Sequence, residues 1–292
     1  MQCVTRRTFV EGMVAAGLAA TVSAAEKGRI LFGACRGLGE AKLLKELGYD
    51  FLETGVAPTL MPDKGEDAWK KQRERIKALP LPIRSCNGFL PGKFRLTGPE
   101  ASFEQPLAYA EKACRRADEI GLVTIVFGSG GARNAPEGFP KEKAVEQFTG
   151  FCRRLAARIA DCKVTVVLEP LQPREANYLN FVWEGQKICE QVGSPRLCVL
   201  ADIFHMMQGG ESAESLLKAG RLLRHCHIAE KGARTAPGVS SDGRAFEPYF
   251  AALKRIGYTG GVSCECAWGK KNDLRKNLKK ALSVMRTLAG QA

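Results

Sequence analysis

Eight short apolar runs, each followed by a polar or helix-periodic segment, limit the folds open to this chain more than any other feature. The runs are ILFGAC (30–35), YDFLET (49–54), LPIRSCN (81–87), LVTIVFG (122–128), VTVVLE (164–169), RLCVLAD (196–202), LRHCHIA (223–229) and GGVSCECA (260–267). Their near-continuous apolar character predicts strands buried on both faces, as in a parallel sheet. Between them lie segments of helical period such as EAKLLKEL (40–47), FEQPLAYAEKACRRADEI (103–120), AVEQFTGFCRRLAARIA (144–160) and FEPYFAALKRI (246–256). Gly48, Gly121, Gly193, Gly220 and Gly257 each stand just before a strand, where a helix ends most easily on a left-handed residue. Eight such units without a linker or low-complexity break predict one (β/α)8 TIM barrel over residues 26–292, in preference to a doubly wound sheet.

In such a barrel the residues ending the strands face the mouth. Those positions are Glu53, Asn87, Glu169, Asp202, His227 and Glu265. A carboxylate at the end of a buried strand costs free energy unless something there needs it. Three carboxylates and an imidazole at the ends of strands five to eight therefore predict a ligand set. Oxygen donors with one nitrogen suit a hard divalent cation, Mn²⁺ first, with Mg²⁺, Co²⁺ and Zn²⁺ as alternatives. Strand period puts Cys226, Cys264 and Cys266 on the opposite face, toward the helices. It also places His225 on the face of His227, one layer down, as a satisfied core histidine. Glu53 either binds substrate or pairs with a neighbouring arginine. Trp268, just past Glu265, is a candidate for the pocket, and the glycine-rich GSGGARNAPEG (128–138) is either an anion cradle or a plain loop over the mouth.

The ends of the chain and its charge add less. TRRTFV (5–10) precedes the uncharged GMVAAGLAATVSAA (12–25), a pattern expected of a twin-arginine export signal over residues 1–25, hence a periplasmic or exported protein, with a cytoplasmic one as alternative. That stretch is too short to span a bilayer. The formal net charge of +13 would suit a polyanion. However, the basic residues recur at helical spacing, as in KKQRERIK and RKNLKK, and no aromatic RNA-binding signature accompanies them. Solvated helix faces are expected, and no nucleic-acid partner.

LEPLQPREANYLN, ADIFHM, HIAEKGARTAPG and SCECAW, in that order, resemble the metal-dependent sugar isomerase/epimerase family of xylose-isomerase-like barrels. NGFLPGKFRLTGPE and IVFGSGGARNAPEGF resemble a branch described as sugar phosphate isomerase/epimerase, and the ketose 3-epimerases are the nearest relatives of known activity. The resemblance spans roughly residues 29–285. It implies that Glu169, Asp202, His227 and Glu265 hold one metal ion and that Glu169 and Glu265 also move the proton. It further implies that Glu175 binds substrate and orients Glu169, that His205 contacts the reacting oxygen, and that Arg234 binds sugar hydroxyls. The segment from His227 to Pro237 is one residue longer than in the epimerases. Glu53, Asn87 and Trp268 complete the expected substrate contacts, and a homodimer or homotetramer is the assembly that the resemblance suggests.

The chemistry stands without the resemblance. Proton removal beside a carbonyl needs a base, and the enediolate needs a cation. Two glutamates on opposite faces would invert the carbon. A sugar or keto-sugar isomerase or epimerase is thus expected, unphosphorylated if the protein is exported. The same ligands would serve a dehydratase that expels a β-hydroxyl. An AP-endonuclease-like hydrolase needs additional histidines, whereas this chain has only His205, His225 and His227.

Overall fold

Alternation along the strands sorts their side chains into two separate apolar layers, and that separation defines the architecture. In the computed structural model, which describes residues 28–291, eight parallel strands close on themselves in sequence order. They are β1 (Leu31–Cys35), β2 (Phe51–Gly55), β3 (Ile83–Asn87), β4 (Thr124–Phe127), β5 (Thr165–Leu168), β6 (Leu197–Asp202), β7 (Leu223–Ile228) and β8 (Gly261–Cys264). One main helix follows each: α1 (Ala41–Leu47), α2 (Glu66–Lys77), α3 (Glu104–Glu119), α4 (Lys141–Arg158), α5 (Val182–Val192), α6 (Glu214–Ala219), α7 (Glu247–Arg255) and α8 (Leu274–Ala289). The expected TIM barrel is therefore observed. The five glycines expected at helix ends all have positive φ.

The outer layer, between strands and helices, is one large cluster that includes Phe32 and Ala34 of β1, Val166 and Leu168 of β5, and Cys226 of β7. α8 shows how a helix joins it. Leu278, Ala281, Leu282 and Met285 recur at spacings of three and four, so they form one stripe, and Met285 Sδ meets Cys264 Sγ at 3.6 Å. The inner layer is distinct: Val126, Val167, Cys198 and Leu200 fill the barrel lumen. Phe51 completes its floor. Its ring occupies the space that side chains at Gly33 and Gly261 would need, so those glycines are there for close approach. Emptying that floor by Phe51→Ala would cost roughly 3–5 kcal/mol. The lumen is a packed plug, and whatever chemistry occurs must sit above it.

Strand lengths decide what sits there. β5 and β8 end at Leu168 and Cys264, so Glu169 and Glu265 stand one residue past the rim. β2 runs on to Gly55, which leaves Glu53 two residues short of its end and one lumen layer deeper than expected. No helix among the described residues is long and apolar enough to cross a membrane. The expected export segment, residues 1–25, lies outside the described residues.

Candidate active site

The four donors expected at the ends of β5 to β8 do converge. One ligand atom from each of Glu169, Asp202, His227 and Glu265 lies within 4.8 Å of the others. His227 Nδ1 is 2.9 Å from Glu169 Oε1 and 3.5 Å from Glu265 Oε2, so the two glutamates meet at one ring nitrogen. Asp202 closes β6 and caps the short helix Ile203–Gly209, its Oδ1 accepting from the Phe204 amide at 2.9 Å. That cap fixes the carboxylate and leaves Oδ2 facing the mouth side chains Arg234 and His205. Asn87 donates from Nδ2 to Glu265 Oε1 at 2.7 Å, so it reaches the site through that glutamate.

Glu53 departs from expectation. Fully buried, it lies below the mouth, and its hydrogen bonds run to two histidines. Its two oxygens lie 2.7 Å from His225 Nε2 and 2.8 Å from His227 Nε2. Burial disfavours its charge, but the two histidines outweigh that and hold it ionised, well below the usual carboxylate range. An ionised Glu53 can only accept, so His227 carries a proton on Nε2 and turns Nδ1 toward Glu169 and Glu265. His225 is the satisfied core histidine that its position one layer down implied.

Above the donors opens a cavity of about 530 Å³, lined among others by Glu169, Glu175, His205, Arg234 and Glu265. A cavity of about 450 Å³ on the flank between α4 and α5 touches none of the four donors. Arg234 reaches over the acids. It donates from one terminal nitrogen to Glu265 Oε2 at 2.6 Å, with Asp202 Oδ2 at 3.4 Å and Glu175 Oε1 at 3.4 Å, and its guanidinium stacks on Phe204. Glu175 also accepts from Gln172 Nε2 at 2.7 Å. His205 is 2 % exposed and lines the cavity, yet neither ring nitrogen has a hydrogen-bond partner among the described residues. Burial, with Arg234 adding to it, pushes its pKa down to about 3, so the ring is neutral at neutral pH.

One expectation for the mouth is overturned. Trp268 is buried in the outer apolar layer, where its carbonyl accepts from Asn277 at the base of α8. A large ring next to a helix gains more by burial than by facing water. Cys266, past the end of β8, both packs against the outer apolar layer, as expected, and lines the cavity. The glycine-rich segment after β4 contributes Gly128, Ser129 and Gly130 to the cavity lining and is tied down, not a free loop. The fully buried Arg133 donates to the carbonyls of Gly128, Tyr178, Leu179 and Glu169, which ties this segment to the one after β5. Gly128 itself has a steric duty, since a side chain there would collide with Glu169 Oε2. Glu230 organises the loop that carries Arg234, accepting from Thr235, Gly238, Ser240 and Ser241. Gly128, Arg133 and Glu230 carried no strand-end signal. A buried arginine or glutamate within a loop is visible only once its carbonyl or hydroxyl partners are in place.

The charge balance bears on what the site can hold. Burial pushes Asp202 up to about 7, with Glu169 and Glu265 adding to it against His227 and Arg234. Glu169 is likewise raised, by burial and then by Glu265. Burial acts on Glu265 too, but His227 and Arg234 outweigh it and keep it ionised. His227 and Arg234 thus fall short of neutralising three converging acids. Buried oxygen donors in surplus, with one imidazole nitrogen aimed among them, fit a divalent cation.

Comparison with known proteins places the fold in a family. A model of the xylose isomerase-like TIM barrel family matches residues 41–288. The chain is similar to a probable ketose 3-epimerase of Synechocystis sp., 26% identical over 207 residues, which cover 70% of this chain and 69% of that one. An L-ribulose 3-epimerase of Methylomonas sp. is 33% identical over 115 residues, 39% of each chain, so that match spans well under two thirds of either. Among solved structures, a D-psicose 3-epimerase from Clostridium cellulolyticum H10 superposes with a TM-score of 0.78 at 19% identity, covering 89% of this chain and 99% of that one.

Proposed function

This chain belongs to the xylose isomerase-like TIM barrel family, and on that premise we propose that it is a sugar epimerase or isomerase acting by proton transfer beside a carbonyl. Its relatives are sugar epimerases. The observation that carries the reading is that Glu169 and Glu265 both line the cavity and meet at one nitrogen of His227, Nδ1.

Glu169, Asp202, His227 and Glu265 supply the donors for a divalent cation, whose charge when bound stabilises oxyanion character next to the reacting carbon. One of the two glutamates takes the proton from the carbon next to the carbonyl. The other returns a proton from the opposite side, which inverts that carbon. Neutral His205, with both ring nitrogens unpartnered, donates a hydrogen bond to a substrate oxygen and costs no net charge in doing so. Arg234 and Glu175, both partly exposed at the rim, bind sugar hydroxyls. Asn87 holds Glu265, and Glu53 holds His227.

Incubating the Mn²⁺-loaded protein with a panel of free ketoses and keto-sugars in D₂O, followed by NMR, tests the proposal. Deuterium at one carbon together with a new epimer or isomer is expected. Deuterium with loss of water would replace the epimerase by a dehydratase, and no exchange with any substrate would overturn proton transfer.

A further inference from the structure

Of the ten cysteines among the described residues, eight are buried; Cys35 and Cys266 are only partly so. Cys35 is the last residue of β1. Because Phe32 and Ala34 of the same strand lie in the outer layer, the alternation turns Cys35 into the lumen. It sits beside Glu53 in the register of β1 with β2, and its Sγ is 3.5 Å from Ser263 Oγ of β8. Sulfur is thereby delivered to the edge of the acidic cluster. One donor atom each from Cys35, His227 and Glu265 lies within 4.8 Å of the other two, the same mutual reach as in the four-donor set.

We propose that Cys35 gives this centre a second, sulfur-containing ligand set, Cys35–His227–Glu265, which captures soft divalent cations such as Cd²⁺ and Zn²⁺. The inference rests on the metal site of the proposed function, since His227 and Glu265 belong to both sets. Sharing them makes the two sets mutually exclusive: one ion occupies the centre at a time. Hard cations select the oxygen-rich set with Glu169 and Asp202, whereas thiophilic cations select the one with sulfur. On binding, a sulfur–metal bond forms as the thiol proton passes to solvent. Burial, and next the charge of Glu53, favour the neutral thiol, so Cys35 stays protonated until a cation displaces that proton. A soft ion bound this way engages Glu265 and withdraws it from proton transfer, so such ions are expected to inhibit.

Titrating the full chain with Cd²⁺ tests this, with near-ultraviolet charge-transfer absorption as the readout and equilibrium dialysis to count bound ions. One thiolate's absorption is expected to rise in step with one bound Cd²⁺. Cys35→Ser should abolish the band and weaken Cd²⁺ binding at least about tenfold, since even outer partners of metal ligands are worth that much. Cys266→Ser should keep the band. Cys35→Asp, which retains a donor at the same place, should bind Cd²⁺ without the band and so separates loss of sulfur from loss of fold. Cd²⁺ bound to the unaltered protein without charge transfer, or a band that survives Cys35→Ser, would overturn the sulfur set and leave the four-donor site standing. Failure of both Mn²⁺ and Cd²⁺ to bind would overturn the metal site itself.

Discussion

The two halves of the barrel mouth divide the labour unequally. From β5 to β8 the rim presents Glu169, Asp202, His227 and Glu265, every one ionisable. From β1 to β4 it presents Cys35, Gly55, Asn87 and Gly128, small and formally neutral. The neutral half nonetheless governs the charged one. Gly128 leaves the space that the Glu169 carboxylate fills, Asn87 holds Glu265, and Glu53, from one layer down, sets which nitrogen His227 offers. A chemical half needs a supporting half because converging carboxylates repel one another, and only fixed partners keep them near one point.

The sharpest way to break this comparison is within the charged half. Glu169→Gln and Glu265→Gln should each lower turnover about 10³-fold or more, read by single-substrate kinetics; near-normal activity in either would end the two-base scheme. Removing divalent ions with a chelator should likewise abolish turnover, with Mn²⁺ restoring it. The same addition should raise the melting temperature, by about 2.7 kcal/mol of stabilisation at a free ion concentration one hundred times Kd. A chelated enzyme that keeps its activity would show that the acids work without a cation.

The supporting half is tested by smaller changes. Gly128→Ala should displace Glu169 and cost about 10²-fold in kcat while the far-ultraviolet circular dichroism stays native, because displacements near 1 Å matter on that scale. Glu53→Gln leaves His227 Nε2 with a weaker partner and should reduce Mn²⁺ affinity roughly 10–100-fold by calorimetry; unchanged affinity would mean that the lower layer is only packing. The smallest effect concerns Glu230. Burial opposes its charge, yet its bonds from Ser240, Ser241 and Thr235 outweigh that and depress its pKa below the unfolded value. A depressed carboxylate stabilises above the unfolded pKa of about 4.3, and that contribution is lost as pH falls toward the folded pKa. Because Glu169 and Asp202 gain protons at higher pH than Glu230 does, acid alone would also stop turnover, so the substitution is the cleaner readout: Glu230→Gln should raise KM at neutral pH with kcat little changed.

How much of this was legible depended on strand period. Wherever a run ended in a charged residue that also ended the strand, or stood one past it, the residue was found, as with Glu169, Asp202 and Glu265. Period failed where the strand end was misjudged by two residues, one step along the same face. YDFLET reads as ending beside Glu53, but the strand continues to Gly55, and one pleat separates a substrate contact from a buried support. It failed again past β8, where Trp268 turns into the outer apolar layer because no ladder fixes its direction. Arg133 was invisible because its partners are carbonyls of segments up to 46 residues away.

By itself the sequence determined the barrel and the placing of Glu169, Asp202, His227 and Glu265 near its strand ends, since alternation and helical period are local properties that burial enforces residue by residue. The tertiary structure alone decided how the donors are held: the Glu53 bonds beneath His227, the Arg133 tie between two loops, the Gly128 space beside Glu169. Those depend on distances between strands and loops far apart in the chain, which close packing sets once the barrel shuts.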